Sequence, residues 1–268
     1  TDGWRIDVPW KIPQDFWRAF RNVATGVNPD AYLVAEEWRS ARTWQTGDTV
    51  HGIMNYPLRN IILDFCVSDR IDAEDFDFEL ARLREEQSPA APYHLTLLGS
   101  HDLPRLLTLC HDDVGRMLTA VVFQMTYIGI PMIYYGDEVG MAGDTDPLCR
   151  AGMVWDTSRQ NQQILEAHRT LIRLRHQHPA LVDGIIESVH IFGNIYAYRR
   201  SLGTDSVIVV LNPRDTRSGY RIPLGTWQEH QPHQWYEHLT RRVFTTQDGA
   251  LTFDVLPAHS AFVFTPVP

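Results

Sequence analysis

The sequence of 268 residues has few cysteines and no excess of positive charge, and each shortage excludes a class of protein. Its three cysteines, Cys66, Cys110 and Cys149, are too few and too far apart for a disulfide framework or a CxxC-type metal site. Free thiols in a reducing setting slightly favour a cytoplasmic location, although one pair could still form a bridge. The 24 basic and 33 acidic residues give a net charge of −9, so no nucleic-acid partner is expected.

Long hydrophobic runs are also scarce. The longest uncharged stretch, residues 118–135, only just reaches the length of a membrane-spanning helix. Gln124 makes it partly polar, and Gly129 and Pro131 break it, which predicts a buried helix followed by a short strand. We therefore expect no membrane partner. The chain opens directly on a strand-like segment, which suggests that the natural N-terminus is missing and leaves targeting open.

Hydrophobic residues make up 44% of the sequence, enough to build a substantial core. In the first part of the chain, short apolar runs alternate with segments of helical periodicity. This rhythm predicts parallel strands joined by right-handed helical crossovers, an α/β architecture. The predicted strands are 4–8, 32–35, 52–54, 94–99 and 131–135. The predicted helices are one that begins near Pro13, then 57–68, 73–87, 112–128 and 160–177.

From about residue 183 the hydrophobic pattern changes to alternation with a period of two. Residues 190–198 contain a Gly-Asn turn between two strand-like runs, which predicts a β-hairpin. Further strands are predicted at 206–211, 250–255 and 261–264. The pattern therefore divides the chain into an α/β domain over 1–182 and an all-β antiparallel sandwich domain over 183–268.

Three carboxylates follow predicted parallel strands, at the strand ends where reactive groups of such folds gather. Asp7 ends the first strand, Glu36 ends the second, and Asp102 comes after the fourth. A single acid at such a place is commonly a helix cap. Three of them, each with a distinctive neighbour, favour a catalytic site.

The neighbours give these acids different predicted roles. Because side chains alternate along a strand, Arg5 and Asp7 face the same way, and the cation keeps the acid ionised, as a nucleophile requires. By the same alternation Glu36 shares a face with Trp38, whereas Glu37 points elsewhere. An acid beside an indole face and partly withdrawn from water retains its proton, which suits a proton donor.

Polar residues around Asp102 allow both a functional and a structural interpretation. His101 and Arg105 are candidates for hydrogen bonds to substrate hydroxyls. As alternatives, Arg5 forms a structural ion pair, His101 is a satisfied loop histidine, and Trp38 packs inside the protein.

An acidic run at 111–113, His-Asp-Asp, has the composition of a metal cluster. We interpret it as a helix cap because Asp favours that position and no second ligand pair has zinc spacing, so no metal site is predicted.

Four segments carry a strong resemblance to the alpha-amylase family of glycoside hydrolases, and they occur in the family's order. They are 3–9 (GWRIDVP), 33–38 (LVAEEW), 98–105 (LGSHDLPR) and 129–138 (GIPMIYYGDE). Two more segments, 54–57 (MNYP) and 146–150 (DPLCR), resemble the neopullulanase and cyclomaltodextrinase branch. The resemblance covers essentially the whole chain, and Glu37 departs from the apolar residue expected after the catalytic acid in many relatives.

The resemblance implies a retaining glycosidase acting on α-1,4-glucans: starch, maltooligosaccharides, cyclodextrins or pullulan. Asp7 would be the nucleophile that forms a glycosyl-enzyme intermediate, and Glu36 the acid and base. Asp102 would be the third catalytic residue, holding sugar hydroxyls in the distorted ring. The implied substrate-binding residues are Arg5, Trp38, His101 and Arg105.

The family's barrel has eight strands, and by resemblance this chain supplies about the fourth to the eighth, a partial TIM (β/α)8 barrel, before its β domain. The absent part would include the third-strand motif that ends in Asn-His and the domain inserted after it. Five parallel strands cannot close. We therefore expect a larger parent protein, or a homo-oligomer that covers the opening, and little glucan hydrolysis by this chain alone. No cofactor is implied, and any calcium would bind in the absent part.

Other functions stay open from the sequence. The same covalent intermediate also supports α-glucan transglycosylation, since a sugar competes with water for it. A noncatalytic carbohydrate-binding fragment is a further alternative, with Trp227 and Trp235 contributing sugar contacts. A nicotinamide- or phosphate-using barrel enzyme is disfavoured because the chain has no GxGxxG or phosphate loop.

Overall fold

The computed structural model of the protein describes residues 1–44, 46–225 and 233–267. The chain divides into two compact units, which are described separately below. Unit 1 comprises Thr1–Ile61, Glu79–Leu97 and Gly129–Met132. Unit 2 comprises Ile62–Phe78, Leu98–Ile128 and Ile133–Pro268.

Unit 1 is built on a parallel sheet whose strands are hydrogen-bonded in chain order. In the described residues the sheet has five strands: β1 (Gly3–Ile6), β2 (Tyr32–Glu37), β3 (Gly52–Asn55), β4 (Leu95–Leu97) and β5 (Ile130–Met132). All five coincide with predicted runs, and the parallel pairing is confirmed. Several strands end earlier than predicted, so Asp7 lies just beyond β1 rather than within it.

The described residues form seven α-helices, and short 3-10 turns of three or four residues are not counted among them. They are α1 (Gln14–Val27), α2 (Tyr56–Cys66), α3 (Ala73–Gln87), α4 (Leu106–Leu109), α5 (Val114–Thr126), α6 (Gln162–Gln177) and α7 (Ala180–Asp183). At α5 the Asp113 side chain accepts a hydrogen bond from the backbone N–H of Arg116, so the predicted helix cap is confirmed. At α6 the Asn161 side chain caps the helix in the same way.

The core of unit 1 forms where α1 packs on the first strands. Trp17 is buried in one hydrophobic cluster with Ile6, Leu33 and Ile53. Its indole N–H donates to the carbonyl of Pro9 at 3.0 Å, so the polar edge of the ring is satisfied as well. This packing fixes the ends of β1 and β2, from which the candidate site projects.

The later part of unit 2 contains antiparallel sheets, as the alternating pattern predicted. Its strands are β6 (Ile185–Phe192), β7 (Ile195–Leu202), β8 (Asp205–Asn212), β9 (Arg217–Pro223), β10 (Gln234–Glu237), β11 (Arg242–Thr245), β12 (Ala250–Leu256) and β13 (Ser260–Pro266). The larger sheet has the order β11-β10-β13-β8-β7-β6, and β12 pairs with β9. Gly193 adopts a φ of +58° in the predicted turn between β6 and β7.

An apolar cluster contains residues of both antiparallel sheets. It contains Trp235 from β10, Phe253 from β12 and Ile208 from β8. Trp235 is fully buried, so its ring offers no surface for a sugar. Trp227, the other tryptophan considered for sugar contact, lies outside the described residues.

The described residues also bear on membrane-spanning helices and on the cysteines. Within it, no helix combines the length and apolar character that a membrane crossing needs. The three cysteines are buried and free.

Candidate active site

In unit 1, one arginine contacts both of the carboxylates that follow β1 and β2. Arg5 donates through Nη1 to Asp7 Oδ1, and its Nη2 lies 3.2 Å from Glu36 Oε1. The parallel register pairs Arg5 with Val34 and so brings the two strand ends side by side. The Asp7 side chain is 69% exposed, whereas the Glu36 side chain is 7% exposed. The two acids therefore share a cation but differ sharply in contact with water.

Glu36 receives two more hydrogen bonds. The indole N–H of Trp38 donates to Oε1 and the backbone N–H of Val8 donates to Oε2, each at 3.1 Å. The Trp38 ring stacks on Tyr56 with 3.8 Å between centroids. Trp38 thus meets the acid through its N–H and not through the ring face that the sequence predicted. Trp38 as a residue is 36% exposed, so it packs on the protein and still faces solvent.

The backbone at Val8 is unusual. Its φ of 42° and ψ of 51° lie in the left-handed region, which a β-branched residue rarely occupies. Strain of this kind typically costs about 1–3 kcal/mol and concentrates at functional sites. The same residue donates its backbone N–H to Glu36, just after the chain has passed Asp7.

Glu37 has a separate set of partners. It accepts hydrogen bonds from the Trp44 indole N–H at 2.8 Å and from the backbone N–H of Arg39 at 2.9 Å. Strand alternation therefore separates Glu37 from Glu36, as the sequence predicted.

In unit 2, Asp102 lies among basic side chains. Its Oδ2 is 3.2 Å from His101 Nε2, and its Oδ1 accepts from Arg150 Nη2 at 3.1 Å. Arg150 also donates through Nε to the His101 carbonyl at 2.9 Å and lies 3.3 Å from Asp146. Arg150 was not among the predicted site residues, and its signal in the sequence was the DPLCR motif at 146–150.

Arg105 is buried, whereas the predicted substrate-binding role requires an accessible side chain. It has no exposed surface, and its Nη1 donates to the Tyr135 carbonyl at 2.7 Å and to Asp137 at 3.0 Å. Its guanidinium carbon lies 4.7 Å and 4.9 Å from the ring centroids of Tyr134 and Tyr135. In this conformation Arg105 contacts protein groups, and a sugar has no surface of it to touch.

The structure thus places the predicted residues in two groups. Arg5, Asp7, Glu36 and Trp38 meet in unit 1, and His101 and Asp102 meet in unit 2 with Arg105 buried in the same unit. The first group offers a water-facing carboxylate and a buried one around a single cation. Across the described residues, no cluster of three or more His, Cys, Asp or Glu side chains is arranged to hold a metal ion.

Comparisons with known proteins match this chain over most of its length. The family model "Alpha amylase, catalytic domain" matches residues 1–167. Neopullulanase 2 from Thermoactinomyces vulgaris is 40% identical over 259 residues, 96% of this chain and 44% of that protein. A cyclomaltodextrinase from Thermoanaerobacter pseudethanolicus is 42% identical over 212 residues, 79% of this chain and 37% of the relative. The chain therefore spans less than half the length of these curated relatives.

Among solved structures, the ligand-free cyclic alpha-maltosyl-(1→6)-maltose hydrolase from Arthrobacter globiformis is similar in fold. Its TM-score is 0.85 at 33% sequence identity, covering 100% of this chain and 57% of that one. The parallel and antiparallel sheets described above are thus part of a fold that larger proteins share.

Proposed function

We propose, because this chain belongs to the alpha-amylase family, that it carries the catalytic carboxylates of a retaining glycoside hydrolase acting on α-1,4-glucans. The proposal rests on the contacts of the Arg5 guanidinium with both Asp7 and Glu36. Retaining glycosidases need two carboxyl groups about 5 Å apart, and acids that share one guanidinium suit such a pair.

The different surroundings of the two acids support different roles. Asp7 is open to water and paired with Arg5, which suits an ionised nucleophile that attacks the anomeric carbon. As the bond to the leaving oxygen breaks, Glu36 donates a proton to that oxygen. Glu36 then takes a proton from the water that attacks the same carbon and releases the sugar from Asp7. The N–H groups of Trp38 and Val8 orient Glu36 throughout.

Asp102 is the third member of the proposed catalytic set. Its role is to hold sugar hydroxyls more tightly as the ring distorts towards the transition state. His101 contacts the same sugar, and Arg150 fixes the carboxylate. Arg5 and the exposed part of Trp38 complete the substrate contacts, while Arg105 acts from within the protein.

The names of the relatives support the substrate class. They are a neopullulanase, cyclomaltodextrinases and a hydrolase of a cyclic maltosyl-maltose. For this chain we propose starch, maltooligosaccharides, cyclodextrins or pullulan as substrates. No cofactor is part of the proposed reaction.

We also propose that β1 to β5 are the last five strands of an eight-stranded (β/α)8 barrel, with the domain boundary near residue 183. In the described residues the sheet order leaves β1 and β5 at the two edges. Parallel sheets of this kind are normally covered on both faces and closed. The chain alone is therefore expected to be poorly active, and a parent protein or a second copy would complete the barrel.

The proposal is tested by comparing the chain with a chimera. In the chimera the chain follows the preceding part of Neopullulanase 2, and hydrolysis of β-cyclodextrin, pullulan and maltoheptaose is measured. The chimera should be active and the chain alone nearly inactive. Asp7→Asn and Glu36→Gln should each lower turnover of the chimera by about 10³-fold or more.

Glu37→Gln is the matched control, since it neighbours the proposed acid but bonds to Trp44. It should keep turnover close to that of the parent chimera. Nuclear magnetic resonance of the first product should show the α-anomer. An active chimera that tolerates both Asp7→Asn and Glu36→Gln would refute the catalytic assignment, and a β-anomer would refute retention.

A further inference from the structure

We infer that Arg105, Tyr134 and Tyr135 are positioning residues for Asp102 and act through the backbone of residues 149–151. The inference rests on the proposed role of Asp102 and deepens it. It also gives Arg105 a role in place of the substrate contact that the sequence predicted. Each link lies within unit 2.

The first link is between the buried cation and two aromatic rings. Tyr134 and Tyr135 both lie within 5 Å of the guanidinium carbon of Arg105, a distance at which a desolvated cation and a ring attract each other. Asp137 is also buried and balances the charge at 3.0 Å. In the described residues the Nε and Nη2 atoms of Arg105 have no hydrogen-bond acceptor, so the two rings, Asp137 and the Tyr135 carbonyl are what hold the group.

The second link runs from the tyrosine hydroxyls to a loop. Tyr134 donates to the Cys149 carbonyl at 3.1 Å, and Tyr135 donates to the Ala151 carbonyl at 2.8 Å. These two carbonyls flank Arg150, so the hydroxyls fix the backbone on both sides of it. Burial raises the pKa of Tyr134 to about 12, so its hydroxyl remains a donor at neutral pH.

The third link joins the loop to Asp102. Arg150 donates to the Asp102 carboxylate and to the His101 carbonyl, and the Cys149 thiol donates to the same carbonyl at 3.3 Å. Both the side chain and the backbone of the segment at Asp102 are therefore tied to residues 149 and 150. A shift of this loop would move the carboxylate.

A close approach at Gly99 ties the other end of the segment to the same cluster. A Cβ atom at Gly99 would lie 2.5 Å from Asp137 Oδ2, so only glycine allows this approach. The ion pair of Arg105 and Asp137 thus lies against Gly99, three residues before Asp102, and also against the tyrosines that hold the loop.

The test measures how firmly residues 149–151 are held in the 268-residue chain. The readout is hydrogen exchange of the Arg150 Nε–H, which the bond to His101 protects, followed by ¹⁵N nuclear magnetic resonance. In the double variant Tyr134→Phe/Tyr135→Phe, exchange should be about fivefold to tenfold faster, the effect of losing one to two neutral hydrogen bonds. Arg105→Lys keeps the positive charge but loses the planar guanidinium that lies over the two tyrosine rings. It should also make exchange of the Arg150 Nε–H faster.

Tyr220→Phe is the control. It removes a hydroxyl that lies 2.8 Å from His190 Nε2 and takes no part in the contacts around Asp102 described above. It should leave Arg150 exchange unchanged, and melting temperatures measured alongside separate loop loosening from global unfolding. Unchanged exchange in the double tyrosine variant would overturn the inference, as would equal acceleration in Tyr220→Phe.

The chimera provides a second readout. In the chimera, Tyr134→Phe/Tyr135→Phe should lower kcat about tenfold with a smaller change in KM. Tyr220→Phe should change neither kcat nor KM. An inactive parent chimera would contradict the proposed function, and Arg150 exchange would still decide whether the tyrosines position the loop.

Discussion

Glu36 and Glu37 show how neighbouring residues of one type receive different tasks. Both are hydrogen-bonded to a tryptophan N–H, Glu36 to Trp38 and Glu37 to Trp44. Only Glu36 is also next to Arg5, and it receives a further N–H from the strained backbone at Val8. The strand period of two accounts for this separation, because adjacent side chains leave the strand on opposite faces.

His94 gives a prediction about stability and pH. Its Nδ1 accepts the Ile53 backbone N–H at 3.2 Å, and burial lowers its pKa from 6.5 to about 4. Below pH 6.5 the unfolded histidine binds a proton that the folded one excludes. The free energy of unfolding should therefore fall as the pH drops from 6.5 to 4, by up to about 1.4 kcal/mol per pH unit for this group.

Urea unfolding at several pH values checks this prediction. His94→Gln retains a hydrogen-bond acceptor but has no titrating ring, so its stability should fall less steeply over that range. His176→Gln on the exposed side of α6 serves as the control and should keep the wild-type slope. Equal slopes for His94→Gln and wild type would contradict the assignment.

The sequence could predict local relations at the site but not distant ones. Arg5 and Asp7 are two residues apart on one strand, so alternation alone was sufficient to place them together. Arg105 meets Tyr135 across 30 positions of sequence, and Arg150 meets Asp102 across 48. No spacing rule connects such pairs, so the burial of Arg105 and the contact of Arg150 emerged only from the fold.

At the scale of elements, apolar periodicity located the long helices and the buried strands. The helix predicted at 73–87 has the bounds observed for α3, and the five parallel runs coincide with β1 to β5. Strands β9, β10 and β11 were missed. The last two have only four residues each, and β9 is mostly exposed, so their sequences lack a clear apolar alternation.

Asp69 gives a prediction about how elements of unit 2 are joined. It lies between α2 and α3 with a φ of 54°, and its two carboxylate oxygens contact Arg116 of α5 at 2.7 Å and Arg214 at 3.1 Å. Asn also tolerates the left-handed backbone, so Asp69→Asn isolates the loss of charge. It should lower the free energy of unfolding by about 1–3 kcal/mol, measured by urea denaturation, as for other charged hydrogen bonds.

Asp248→Asn is a closely matched control. Asp248 also has a positive φ, 48°, but its side chain is 91% exposed and lies 3.5 Å from Arg221. An exposed pair of this kind contributes little, so stability should change by less than about 0.5 kcal/mol. Similar losses in the two variants would mean that the position of Asp69 between two arginines has no special effect.

At the scale of the whole molecule, the described parallel sheet has two open edges. Strand β1 lies at one of them, and aromatic side chains of β1 and α1 are exposed in the same unit. Trp4 and Phe16 are each 51% exposed, and both rings contact Phe20. Contiguous apolar surface of this kind commonly marks an interface. The proposed homo-oligomer would cover it with a second copy.

Self-association of the purified chain is therefore expected, and light scattering coupled to size-exclusion chromatography should show a mass that rises with concentration. The double variant Trp4→Thr/Phe16→Glu keeps a strand-forming residue in β1 and places a charge on α1, and it should shift the population towards monomer. Trp155→Glu is the control, because Trp155 is 80% exposed but belongs to unit 2. A wild-type chain that remains monomeric at every concentration, or a double variant that associates as strongly as wild type, would show that this aromatic surface does not join two copies.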